Sequence, residues 1–127
     1  MPFISVKVVE NQLTEEKKKD LIEKLTDLVV EGMNREKSLT TIVIDEIKPS
    51  SWDIGGKAIR PEESVSFVNI KVSKGTTNPD EIALMQVKTK ELMSSLLNNY
   101  IEENYFIIDE INSTGWGFGD LTMANRD

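Results

Sequence analysis

Laid on itself, the chain matches at one constant spacing. Ile4-Ser5-Val6-Lys7-Val8 falls on Val68-Asn69-Ile70-Lys71-Val72, Ile44-Asp45-Glu46-Ile47 on Ile108-Asp109-Glu110-Ile111, and Trp52-Asp53-Ile54-Gly55 on Trp116-Gly117-Phe118-Gly119, all at an offset of 64 residues without a gap. Short apolar-polar alternations coincide easily. A four-residue identity and a Trp-x-apolar-Gly motif in one shared register do not, so the pattern implies a duplication. The 127 residues fit one domain, residues 1–127, made of two repeats of about 1–63 and 64–127.

Each repeat reads as strand, helix, strand. Residues 3–9 alternate as a half-buried strand does, and residues 67–73 place Phe67, Asn69 and Lys71 on one face and Val68, Ile70 and Val72 on the other. Thr14 suits the cap of a helix running to about Asn34, with Leu21, Leu25, Leu28, Val29 and Met33 as its apolar stripe. Asn78-Pro79 opens a second helix running to about Asn98, striped by Ile82, Met85, Leu92, Met93, Leu96 and Leu97. Thr41 to Ile47 and Tyr105 to Ile111 read as strands. A crossover of this length joins parallel strands in the right-handed sense. The fold class expected is therefore α/β (α+β): tandem β-α-β units in a four-stranded sheet with both helices on one face. The other face and the sheet edges stay uncovered, which predicts a homo-oligomer. The segments around Trp52 and Trp116 fit short hairpins or arms reaching a neighbouring subunit.

The inventory removes many mechanisms. With no cysteine and no histidine, disulfides, Cys/His zinc sites, Ser-His-Asp triads and Cys-His dyads are excluded. Against 22 Asp and Glu stand 15 Lys and Arg, a net charge of -7. Such a field disfavours nucleic acid or an anionic membrane as partner and leaves a small anionic substrate possible in a local pocket. The start of the chain has no basic segment followed by an apolar one, and 18 consecutive apolar residues occur nowhere, so a soluble, cytoplasmic protein is expected. No metal and no organic cofactor is implied.

Pro2 is the residue with the most chemistry. A small second residue permits removal of Met1, after which Pro2 carries a free secondary amine at the head of the first strand. An α-amino group titrates near pH ~8, and burial beside apolar or cationic groups lowers that value, giving a neutral base at cellular pH. Glu46 and Glu110 sit inside the repeated strand motif and read as structural. Glu62-Glu63 after Pro61 reads as the linker between repeats, and Gly55-Gly56 as a turn rather than a phosphate loop.

A Met-Pro start leading into a strand, then Glu10, the opening Thr14-Glu15-Glu16-Lys17-Lys18, the strand end Ile44-Asp45-Glu46-Ile47 and the turn Trp52-Asp53-Ile54-Gly55-Gly56 together resemble 4-oxalocrotonate tautomerase over the first half. The second half resembles the same unit without its proline. The ending Trp116-Gly117-Phe118-Gly119 is similar to the malonate semialdehyde decarboxylase branch of the tautomerase superfamily, where two units are fused.

The resemblance implies a tautomerase fold of the kind shared with macrophage migration inhibitory factor, packed as a trimer, with Pro2 as catalytic proton shuttle. It implies a small carboxylate or carbonyl substrate, bound by Lys74 and by an aromatic wall at Trp52 and Trp116. The family's cations are replaced: Gln12 and Thr41 stand at its arginine positions, with Thr76 and Tyr105 in the second copy. Lys74 substitutes for one of the paired arginines of the decarboxylase branch, and Leu39 or a neighbour falls at its acidic position. Arg35, Arg60 and Arg126 lie at no family site, although Arg60 and Arg126 follow the Trp turns. The function expected is a tautomerase-type isomerase of a small keto or enol acid. The alternatives are a decarboxylase or hydratase of the same superfamily, and a non-catalytic binding or assembly protein.

Overall fold

The computed structural model describes residues 2–75 and 77–125. Met1, Thr76 and Arg126, named above, lie outside the described residues. The first unit contains β1 (Phe3–Val9), α1 (Glu15–Met33) and β2 (Thr41–Ile47), followed by a hairpin of β3 (Asp53–Ile54) and β4 (Lys57–Ala58). The second contains β5 (Ser66–Ser73), α2 (Pro79–Leu96) and β6 (Tyr105–Ile111), followed by a hairpin of β7 (Gly117–Phe118) and β8 (Leu121–Thr122).

Local chemistry sets the helix limits. The Thr14 hydroxyl accepts from the Lys17 N–H at 3.1 Å, and the Asn78 side chain accepts from the Glu81 N–H at 2.9 Å, each satisfying a donor of the first turn. The first helix stops at Met33 because Asn34 turns left-handed with φ of 52°. The second stops at Leu96, two residues short of the expected end, because Leu97 takes an extended backbone that buries its side chain.

The main sheet has the order β2-β1-β5-β6. β1 runs parallel to β2 and β5 parallel to β6, while β1 and β5 meet antiparallel. In that central ladder Ser5 faces Asn69, Ile4 faces Ile70 and Val6 faces Val68. Ser5 and Asn69 are also counterparts in the two repeats, so a local two-fold axis passes between them.

Alternate residues of the central strands, Ile4, Val6 and Val8 with Val68, Ile70 and Val72, are buried beneath Leu21, Leu25, Val29 and Met33 of α1 and Met85, Met93 and Leu96 of α2. One core thus lies between the sheet and a layer of two helices. The opposite face is open and leaves Phe3, Val43, Tyr105 and Ile107 exposed. The turn between repeats is pinned: the Gln12 amide donates to the Glu63 carbonyl at 2.6 Å, and the Ser64 hydroxyl to the Asn98 carbonyl at 2.6 Å. Among the described residues no helix is long and apolar enough to cross a membrane.

The two-fold decides where the hairpins go. Because β5 is antiparallel to β1, the end of β6 lies at the sheet edge where β1 begins, and the end of β2 lies where β5 begins. The segments read as arms towards a neighbouring subunit therefore reach, within this chain, the opposite repeat.

Candidate active site

Pro2 is buried immediately ahead of β1, with its carbonyl accepting the Thr41 N–H at 3.3 Å. A cavity of about 250 Å³ opens beside it. Pro2, Phe3, Leu39 and Thr41 come from the first repeat, and Trp116 and Phe118 from the C-terminal hairpin of the second. No charged side chain lines this cavity among the described residues.

Trp116 is held there by its hairpin. The Trp116 carbonyl accepts from the Met123 N–H at 2.6 Å, and Gly117 pairs with Thr122. A Cβ at position 117 would strike the Leu121 backbone, so glycine is the residue that lets the hairpin close.

The structure thus brings Pro2 and Trp116 into one cavity. Trp52 lies beside Ser66 and Phe67 at the far end of β1. Seven residues of strand separate the two ends, a span of about 20 Å, so within one chain Trp52 does not wall the Pro2 cavity. Lys74 follows β5 at the same end of the sheet as Pro2. Its N–H donates to the Ile111 carbonyl at 2.9 Å, mirrored in the first repeat by Glu10 and Ile47 at 2.9 Å. Its side chain is exposed and is not part of the cavity wall.

The other charged candidates carry structural work. Glu46 pairs with Lys18 at 3.2 Å, and Glu110 accepts a hydrogen bond from Thr77. The Arg35 guanidinium is pushed below its usual range by burial, with Glu81 and Glu110 acting in the opposite direction. Arg60 is exposed beside Glu63 in the inter-repeat turn. Gln12, at a family arginine position, holds that same turn through the Glu63 carbonyl.

Phe3 and Phe118 were not anticipated as wall residues. Both carried a signal: Phe3 adjoins Pro2, and Phe118 fills the apolar position of the repeated Trp-x-apolar-Gly motif.

The family model described as "Tautomerase enzyme" matches residues 2–61. The probable tautomerase K2 of Dickeya dadantii (strain 3937) is 34% identical over 59 residues, spanning 46% of this chain and 88% of that protein. The 2-hydroxymuconate tautomerase of Bacillus subtilis (strain 168) is 30% identical over 63 residues, spanning 50% of this chain and all of that protein. The fold is that of F6, a wild-type fused 4-OT solved as an asymmetric trimer, with a TM-score of 0.81 at 19% identity over 96% of both chains. The family match begins at the residue that heads β1, and the solved fold spans both repeats: this chain belongs to the tautomerase family.

Proposed function

We propose that the protein is a keto-enol isomerase in which Pro2, freed by removal of Met1, is the general base. The observation that carries this reading is a buried proline at the head of β1, flanked by a cavity walled by Phe3, Leu39, Trp116 and Phe118. Apolar walls disfavour the charged form of an amine, so the secondary amine stays neutral and able to accept a proton near neutral pH. It takes the proton from the enol oxygen of the substrate and returns it to carbon, or the reverse, so that atoms and charge balance over the cycle.

The wall chemistry points to a small keto or enol acid with an apolar body, of the aryl-pyruvate kind. Trp116 packs against that body, and Lys74 supplies the cation for a carboxylate that projects past the cavity rim, as a point charge without a bidentate fork. Trp52 reaches substrate only from another copy of the chain. We read the chain as one domain of two fused units and its assembly as a homotrimer, in which the open sheet face bearing Val43 and Ile107 is covered.

The test is the intact mass of the purified protein together with ketonisation of phenylenolpyruvate by wild type and Pro2→Ala. The expected result is a mass lacking Met1 and a rate that falls about a hundredfold or more on substitution. A retained Met1, or a rate indifferent to Pro2, overturns the proposal. Carbon dioxide release from a 3-oxo acid, measured on the same samples, tests membership of the decarboxylase branch.

A further inference from the structure

The two-fold that builds the Pro2 cavity builds a second cavity, of about 500 Å³, at the other end of the sheet. Its wall is assembled from counterpart positions: Ser66 for Pro2, Phe67 for Phe3, Glu103 for Leu39, Tyr105 for Thr41, Trp52 for Trp116 and Asp53 for Gly117. The frame is shared and the chemistry has changed. Ser66 lies within the chain, so its nitrogen is an amide, and its hydroxyl is engaged with that of Tyr100 at 2.6 Å. This cavity has no base equivalent to Pro2.

It has instead three aromatic rings, Trp52, Phe67 and Tyr105, and three carboxylates, Asp53, Glu102 and Glu103, with no lysine or arginine in its wall among the described residues. The carboxylates are not grouped to hold a metal: among the described residues no cluster of three or more acids is so arranged. Aromatic faces carry a negative quadrupole that attracts a cation, and weakly hydrated organic ammonium groups gain most from such walls. Carboxylates at the rim add to that attraction. The chain itself already places a cation on this wall. Trp52, Asp53 and Phe67 also line an adjoining hollow of about 390 Å³. There the Lys7 ammonium lies 5.9 Å from the centroid of the Phe67 ring.

We propose that the second cavity is a binding site for a small organic cation of the alkylammonium class, held by Trp52 and Tyr105 and neutralised by Asp53 and Glu103. The two repeats then divide their labour, one cavity for proton transfer and one for binding without chemistry. This proposal does not depend on Pro2 being a catalyst.

The test is titration of the full chain with benzyltrimethylammonium chloride, read by tryptophan emission. The protein has two tryptophans, so Trp116→Phe leaves Trp52 as the reporter and Trp52→Phe leaves Trp116. A saturable change at Trp52, none at Trp116, and none at Trp52 with benzoate, which has the same ring and the opposite charge, are expected. Glu103→Gln with Asp53→Asn, and separately Tyr105→Leu, raise the dissociation constant about threefold to tenfold or more. All three positions are exposed, and circular dichroism checks that the variants are folded. An equal response of Trp52 to benzoate, a response of Trp116 to the ammonium, full affinity in the charge-neutral variant, or no saturable response in the millimolar range overturns the proposal.

Discussion

The hydroxyls of Ser66 and Tyr100 lie 2.6 Å apart, tying the head of β5 to the turn that follows α2. Burial pushes the Tyr100 phenol above its usual value of 10.0, and the hydrogen bond with Ser66 acts in the other direction. A raised folded value means that the stability tied to the protonated phenol is complete below the unfolded pKa and is lost as pH rises through the folded one. Tyr100→Phe is expected to cost about 1 kcal/mol at neutral pH, where the hydrogen bond is lost, and to flatten the alkaline limb of the stability curve. Urea midpoints from neutral to strongly alkaline pH check both.

The same strand shows how far residue patterns reach. Alternation in residues 67–73 and a helical stripe through Leu21, Leu25 and Val29 are local signals, so the strands, the helices and the buried faces were legible in them. The pairing of β1 with β5 is not local. It depends on the antiparallel meeting of two similar units, which places Ser5 opposite Asn69, and no residue pattern states that direction. From it follows the separation of Trp52 from Trp116, which the family resemblance groups as one wall. Pro2 was legible as a candidate from its place after Met1, and the structure sets it, buried, beside a cavity. The place of a cation was less legible: Lys74 follows the end of β5 at the Pro2 end of the sheet but is not among the residues lining the cavity.

Thr89 interrupts the second helix stripe and is buried with a hydroxyl that has no hydrogen-bond partner among the described residues. An unsatisfied buried hydroxyl is costly, and valine has nearly the same shape. Thr89→Val is expected to stabilise the fold by about 1 kcal/mol. Leu25→Ala, in the same core, is expected to cost about 2–5 kcal/mol. Thermal unfolding followed by circular dichroism reads both signs.

Gly117 and Gly115 flank Trp116 but differ in what a side chain would meet. At Gly115 a Cβ finds open space, while at Gly117 it strikes the Leu121 backbone. Gly117→Ala is therefore expected to displace the hairpin, shift Trp116 emission to the red and lower any Pro2-dependent rate about a hundredfold. Gly115→Ala should leave emission and rate as they are. An unchanged spectrum in Gly117→Ala would mean that Trp116 is held by something other than its hairpin.

On the open sheet face, Asp109 accepts from the Asn69 amide at 2.8 Å and from the Lys71 ammonium at 3.0 Å. First the Asn69 bond and then Lys71 hold its carboxyl below the usual range. A depressed folded value gives stability that is present above the unfolded pKa and lost as pH falls through the folded one. The group is largely exposed, so solvent screening limits the effect: Asp109→Asn should cost less than about 1 kcal/mol at neutral pH and nothing measurable in strong acid. Chemical denaturation at the two extremes distinguishes the outcomes.

The exchange of hairpins across the two-fold has a consequence for how this chain can change over time. The repeat that begins with Pro2 takes Trp116 and Phe118 from the other repeat to wall its cavity, and that other repeat carries Ser66 where Pro2 stands. A protein cut at the turn near residue 63 would yield two pieces, each holding half of either cavity. Neither piece is free to drift alone. The half without Pro2 supplies Trp116 and Phe118 to the cavity beside Pro2, so a change in its hairpin is felt in the first repeat.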